Sequence, residues 1–501
     1  MHRDSTAPQS TVAGTLSARV FRGLRWKILS QVLQQVSRVG VAIVVAHLLT
    51  PRDFGLAAMA LVFSGVATLF TDVALGAALI QREKITDADR STVFWTQVGL
   101  GLAVTAVGVA LAPAAAAFFS TPAVAPYFAA TASIGVIASL GLTQTALLLR
   151  DMQFRSLELR EMTGTVIAAA AGLALAIAGF GAWAIVGQTI VFATVSSVLV
   201  WRLSPWRPTL VYHRQSLREL GPFGAQVLAT RLLSYLNLNM DNVLIGRYLG
   251  APQLGTYSVA YNVMFVPIAR VAQPVQQVLF PAFAQMQHDP VRLGRAWLRG
   301  TRVMATISGP AFIGMAVVAP DFVPLVLGNR WHAAVPVLQL LSAAGFLQSF
   351  QSLNPAVLQG LGRAGLLLRF MTIATVVVVG SFILGLVWGI VGVAALFAIA
   401  RGLQLAGYTW IMVRVTKLRL GDILADFARV SSLALGVGAG ALAARLGMLQ
   451  TGAGPTARLL AALVVGGALY AGIIIWRQRE ILEQVRGILR RDVAPPPETA
   501  T

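Results

Sequence analysis

The sequence predicts an all-α polytopic membrane protein. It would have about fourteen transmembrane helices: two six-helix lobes related by a pseudo-two-fold axis along the membrane normal, then two C-terminal helices. Three observations predict this. The first is composition: 56% of the 501 residues are hydrophobic, 12% are charged, and the mean hydropathy is +0.73. An ordinary soluble domain carries roughly 25% charged residues, and a soluble surface needs polar cover that this chain lacks. The second is a recurrence of apolar runs long enough to cross a bilayer. The third is a motif that returns at an offset of 200 residues.

About 20 apolar residues cross the hydrocarbon layer. Such runs occupy residues 24–48, 54–80, 91–117, 124–149, 162–179, 181–201, 220–246, 255–281, 301–326, 333–359, 365–386, 388–413, 423–445 and 457–476. Two pairs are joined by very short turns, at Gly179–Phe180–Gly181 and around Gly389. Merging either pair would reverse the orientation of everything downstream.

Charge tests the count independently. The net charge of +20 comes from short basic clusters between the runs, which points to membrane topology rather than to nucleic acid. With a cytoplasmic N-terminus, the inner segments hold 29 of the 39 Lys and Arg residues. The outer loops and their edges hold Arg52, Arg247, Arg330, Arg445 and Arg458. Fourteen spans with both ends inside satisfy the rule at every loop. The chain has no cysteine, hence no disulfide or thiolate site. Its first residues lack the apolar core of a cleaved signal, so the first helix is expected to be retained.

The repeat pairs Leu49-Thr50-Pro51-Arg52-Asp53-Phe54-Gly55 with Leu249-Gly250-Ala251-Pro252-Gln253-Leu254-Gly255. In each copy one helix ends, a Pro-containing turn follows, and another helix begins. The copies lie six helices apart, and an even number preserves orientation, so the repeat is parallel. The expected organisation is a cytoplasmic segment 1–23, an N-terminal lobe 24–201 and an inter-lobe loop 202–219. A C-terminal lobe 220–413, helices 13 and 14 over 414–476, and a cytoplasmic tail 477–501 complete it. The loops are too short for a separate catalytic domain.

Three stretches carry a family resemblance. One runs from Ala46 through Gly55 and closes with Phe70-Thr71-Asp72 and Gln81-Arg82. Another is Asn237-Leu238-Asn239-Met240-Asp241-Asn242 through Gly246-Arg247 to Tyr257, and the third is Phe280-Pro281-Ala282-Phe283-Ala284. With these the chain resembles the Wzx-type polysaccharide and O-antigen unit flippases, in particular the colanic acid and exopolysaccharide exporter branch. These belong to the multidrug, oligosaccharidyl-lipid and polysaccharide exporter superfamily. The resemblance implies an inner-membrane transporter, not an enzyme. Its implied substrate is undecaprenyl-diphosphate-linked oligosaccharide, turned from the cytoplasmic to the periplasmic leaflet by alternating access with ion coupling. It also implies polysaccharide polymerase or export machinery as functional partners.

The stretch from Arg231 to Gly250 has the length of a membrane helix, yet it holds two arginines, an aspartate and three asparagines. Ionisable groups at mid-bilayer cost several kcal/mol unless they face protein or water. Arg38, Arg231 and Arg270 lie deep in spans one, seven and eight. Gln34 shares a face with Arg38; Asn237 lies beside the face of Arg231 and Asp241. On span eight Asn262, Val266, Arg270, Gln273 and Gln277 recur at helical spacing. These faces are expected to line a polar cavity in which arginine forks hold a diphosphate and amides meet sugar hydroxyls. The alternative is interhelical pairing that only stabilises the bundle. Asp72 and Asp241 are candidates for taking up H+ or Na+, or else for structural salt bridges. No cofactor or metal is expected: no two of the five histidines sit at i and i+4. Gly360-Leu361-Gly362-Arg363 lacks the lysine of a P-loop. Trp95, Trp183, Trp201, Trp206 and Trp331 read as interfacial anchors.

Two rival transporters stay open at this stage. A lipid II flippase would handle the same diphosphate. A multidrug cation antiporter would want an acidic or aromatic cavity, which the arginine excess disfavours. A membrane polymerase or glycosyltransferase would need a large loop with paired carboxylates, and the chain has none.

Overall fold

The computed structural model describes residues 40–72, 75–82, 85–213 and 238–477, with single positions at 215, 228, 231, 232 and 235. Among them no strand occurs; the chain is helical almost throughout. It divides into two compact units, residues 1–255 and 256–501.

Residues 40–48 end the first helix. Then follow α1 (Pro51–Asp72), α2 (Leu75–Gln81), α3 (Asp87–Phe118), α4 (Val124–Ala132), α5 (Ile134–Arg150), α6 (Phe154–Ile177) and α7 (Trp183–Leu203). Residues 238–249 are helical. Beyond them come α8 (Ala251–Gln285), α9 (Pro290–Phe322), α10 (Ala334–Ser349), α11 (Asn354–Gly360), α12 (Ala364–Gly385), α13 (Gly389–Thr416), α14 (Leu420–Gln450) and α15 (Pro455–Arg477). The expected spans correspond to these helices wherever residues are described.

Both tight pairs are separate helices. Gly179 and Gly181 adopt left-handed φ values of 78° and 54° between α6 and α7, and Gly389 (φ 69°) opens α13. A glycine reaches this conformation without a Cβ clash, so the chain reverses in a few residues. Nine stretches among the described residues are long and apolar enough to cross a membrane on composition alone. The shortfall against fourteen has local causes. Residues 365–416 count as one stretch although a turn at Leu386–Trp388 divides them. Span ten is carried by α10, which is only 16 residues long, and parts of spans one, seven and eight lie outside the description.

The first unit is fastened in part by hydroxyls and amides that pair away from water. Thr143 donates to Gln97 Oε1 at 2.7 Å, and both residues are fully buried. The break between α4 and α5 is covered by Thr105, whose hydroxyl donates to the Ala132 carbonyl and accepts from the Val136 amide. At one end Trp95 and Trp201 donate to the Thr209 and Leu140 carbonyls. Trp331 departs from its expected role as an interfacial anchor: it is fully buried, packed into the turn after α9.

The two repeated turns meet each other. Thr50 caps α1 by exchanging hydrogen bonds with Asp53 at 2.6–3.3 Å. Gly250, at φ 82°, closes the helix over 238–249 by donating to the Ile245 carbonyl. A Cβ on Gly55 would overlap the Ala251 carbonyl, and a Cβ on Gly255 would overlap the Pro51 carbonyl. With the 200-residue offset, Pro51 answers to Ala251 and Gly55 to Gly255. The contact is reciprocal under the 200-residue offset.

Both contacts are to backbone, which cannot move aside as a flexible side chain can. Gly55→Leu and Gly255→Leu are therefore expected to destabilise the protein to a similar degree, by about 1–3 kcal/mol or more. Gly99→Leu, where nothing lies within 4 Å, should have little effect. Thermal unfolding of the three purified variants checks this. Equal midpoints for all three would refute the close approach.

Candidate functional site

The expected site residues fall into three groups. Gln34, Arg38 and Asn237 lie outside the described residues. Asp72, Arg270, Gln273 and Gln277 hold their helical positions, Asp72 as the last residue of α1 and the other three along α8, with side chains outside the description. Arg231, Asp241 and Asn262 are described fully.

Asp241 is 2% exposed, and one carboxylate oxygen accepts the Asn242 amide at 2.8 Å. Ile245, one turn further on, is fully buried. Arg231 is exposed, as is Leu238 at 46%. The face that sequence spacing assigns to Arg231, Leu238 and Asp241 thus passes from exposed to buried toward its C-terminal end. Arg247 is held at that end by Ser120, to which it donates at 2.6 Å, and by the rings of Phe118 and Tyr248. On α8, Asn262 and Val266 are exposed at i and i+4, while Tyr257, Ala260 and Met264 on the other side are buried. The helix continues through Pro267, Pro274 and Pro281, and Arg270, Gln273 and Gln277 hold positions along it at the spacing expected from the sequence. Arg231 and Asp241 belong to one unit, Asn262 and the other α8 residues to the second.

Two arginines within spans are occupied locally. Arg401 donates to Gln404 Oε1 at 2.6 Å, and its guanidinium lies 4.7 Å over the Phe397 ring. Arg429 is 58% exposed and 3.8 Å from Asp426, as a side chain reaching for the membrane surface would be.

Sequence reasoning missed two carboxylates. Asp426 on α14 receives a forked pair from Arg302 on α9, at 2.6–3.1 Å. Asp321 on α9 receives Arg445 from α14, and the Arg458 Nε on α15 stands 3.3 Å away. Both aspartates are nearly buried, at 6% and 3% exposure. A signal was present: an Arg and an Asp 19 residues apart on α9, and an Asp and an Arg 19 apart on α14. Between α8, α9, α14 and α15 lies a cavity of about 430 Å³ with almost wholly apolar walls, including Val263, Met315, Val437, Leu463 and Gly467. Of the expected substrate-binding residues that are fully described, neither Arg231 nor Asn262 lines it.

A helical chain with many spans, an internal parallel repeat and charges matched inside the bundle defines a multi-pass membrane protein of transporter type. The family model described as "Polysaccharide biosynthesis protein" matches residues 44–336, more than half of the chain. The chain belongs to that family. It is 28% identical to the lipopolysaccharide biosynthesis protein WzxC of Escherichia coli over 67% of its length and 68% of that protein's. It is 26% identical to the succinoglycan biosynthesis transport protein ExoT of Rhizobium meliloti over 95% of this chain and 97% of the other. Among solved structures, the lipid II flippase MurJ in an inward closed conformation superposes with a TM-score of 0.70 at 14% identity, covering 90% of this chain and 99% of that one. That likeness speaks for the fold.

Removing one partner of a nearly buried ion pair leaves a charge uncompensated. Arg302→Asp and Asp426→Arg are each expected to cost about 1–3 kcal/mol, discounted because Arg302 is 34% exposed. The double reversal should recover most of the loss. Denaturation of the three variants measures this, and a double reversal no better than the sum of the singles would contradict the pairing.

Proposed function

We propose that this chain moves undecaprenyl-diphosphate-linked oligosaccharide units from the cytoplasmic to the periplasmic leaflet of the bacterial inner membrane. Both termini face the cytoplasm, as the distribution of Lys and Arg demands. Two six-helix lobes work by alternating access, and uptake of H+ or Na+ drives the cycle through Asp241, Asp72 or both. Arg38, Arg231 and Arg270 bind the diphosphate, while Gln34, Asn237, Asn262, Gln273 and Gln277 meet the sugar. The polyprenyl tail stays in lipid. A polysaccharide polymerase or export machinery receives the product.

The observation that carries this reading is the near end-to-end alignment with a relative named for succinoglycan transport, in a chain whose loops leave no room for an enzyme domain. The parallel repeat supports alternating access, because repeats of this kind can rock against one another around a site between them. The burial of the Asp241 carboxylate within a polar helix supports a place for it in ion coupling.

Proteoliposomes carrying labelled undecaprenyl-diphosphate oligosaccharide in one leaflet provide the test. The intact protein should move the label across. Arg38→Ala, Arg231→Ala and Arg270→Ala should each lower the rate at least tenfold, the loss of one charge-assisted contact of about 1.5–3 kcal/mol. Asp241→Asn should abolish the response to an imposed proton or sodium gradient while leaving downhill exchange. Transport of lipid II alone would replace the substrate assignment. Full rates in all three arginine variants would return those residues to bundle stabilisation.

A further inference from the structure

The cluster of Asp321, Arg445 and Arg458 holds more donors than it uses. Arg445 reaches Asp321 through Nε, and the Arg458 Nε faces the same carboxylate at 3.3 Å. Among the described residues no other hydrogen bond is made by either guanidinium, and the Arg458 Nε itself has no hydrogen-bond partner. Yet the two side chains are only 15% and 20% exposed. The Arg458 Nε is itself shielded from water, and a buried donor calls for an acceptor. Two arginines against one aspartate also leave one positive charge over.

The cluster caps the apolar cavity. Val318 and Phe322 of the wall bracket Asp321 on α9. Ala441 sits one turn before Arg445 on α14, while Leu459 and Ala462 follow Arg458 on α15. These spacings put each charged residue on the helix face that lines the cavity, one turn beyond it or less. Val318, Ala441, Leu459 and Ala462 pack as one apolar cluster. The volume of about 430 Å³ lies within the roughly 300–1,000 Å³ typical of small-molecule sites.

Depth fixes the kind of ligand. Asp321 follows Arg302 by 19 residues on α9, about 28 Å at 1.5 Å per residue. The hydrocarbon core is about 30 Å thick. With the Arg302–Asp426 pair at one membrane boundary, the cluster stands at the other, at the level of lipid phosphates. We propose that Arg445 and Arg458 bind the phosphodiester of an anionic bilayer phospholipid whose acyl chain occupies the cavity between α8, α9, α14 and α15. A phosphodiester carries one negative charge and matches the one uncompensated positive charge. Basic pockets between transmembrane helices recognise anionic headgroups in this way. The site is separate from the arginines assigned to the transported diphosphate.

The test uses the full-length protein in detergent, titrated with palmitoyl-oleoyl phosphatidylglycerol and followed by native mass spectrometry and thermal unfolding. Phosphatidylglycerol should bind saturably and raise the unfolding midpoint. The phosphatidylethanolamine of the same chains, or inorganic phosphate alone, should do neither. Arg458→Gln keeps the Arg445–Asp321 pair and should weaken phosphatidylglycerol about tenfold or more. Leu463→Trp, which fills the cavity, should weaken it comparably without touching a charge. Arg330→Gln, outside the cluster, should leave affinity unchanged. Equal affinity in the intact protein, Arg458→Gln and Leu463→Trp would overturn the proposal, as would equal binding of phosphatidylethanolamine. A shift with inorganic phosphate alone would reduce the site to an anion site without a lipid. Displacement by undecaprenyl phosphate at concentrations where phosphatidylglycerol does not compete would hand the site to the carrier and also overturn it.

Discussion

The second unit depends on one constraint: a charge within the bundle must meet its opposite at the same depth. Asp426 and Asp321 are nearly buried, so little water reaches either carboxylate. On α9 the arginine comes first and the aspartate 19 residues later; on α14 the order is reversed. Only a parallel, in-register packing pairs both. An antiparallel arrangement would set Arg302 against Arg445 and Asp321 against Asp426. The ion pairs therefore select direction and register together, and they agree with the topology, since spans nine and thirteen lie an even number of crossings apart. Arg458 then ties α15 to the same carboxylate.

The repeat imposes a comparable constraint on the first unit. Two turns can approach until their backbones touch only where no Cβ intervenes, and Gly55 and Gly255 satisfy that condition reciprocally. Elsewhere contacts between helices are made by small residues and buried hydroxyls. Gly101 lies against Ser139, Gly108 against Ala132, and Ser308 bonds to Ser349 at 2.8 Å. In lipid, apolar side chains gain little by leaving one hydrocarbon surface for another, so close packing and satisfied polar groups hold helices together instead.

Much of this was legible in the sequence, because it is local. Helix positions follow from runs of apolar residues, turns from Gly and Pro, and orientation from basic loops. The reciprocal glycine contact was foreshadowed by the motif match at an offset of 200. Pairings across the bundle were not legible in the same way. Asp426 and Arg302 are 124 residues apart, as are Arg445 and Asp321. Counted along the chain, Arg445 and Arg458 were merely outer-edge charges, and Asp321 and Asp426 did not register as lying inside the bundle. Trp331 failed for a related reason: position near a span end does not decide whether a ring turns to the interface or into the core. Of the candidate site, the sequence located Asp241 within a polar helix, while its burial and the Asn242 amide on its carboxylate required the fold.

The arginines show why depth alone is a poor guide to function. Arg401 lies midway along its span, yet Gln404, the Phe397 ring and its position on α13 absorb its charge. Arg429 escapes to the surface. Arg302 spends its fork on Asp426. Arg445 and Arg458 sit at a boundary, where a single aspartate cannot satisfy two guanidiniums. What separates a structural arginine from one that binds a ligand is the balance between donors and acceptors around it. By that measure the Arg445–Arg458 cluster beside the apolar cavity is one place, among the described residues of the second unit, that still lacks an acceptor. A phosphate anchored there with its chain between α9, α14 and α15 would complete both the charge balance and the packing of the unit.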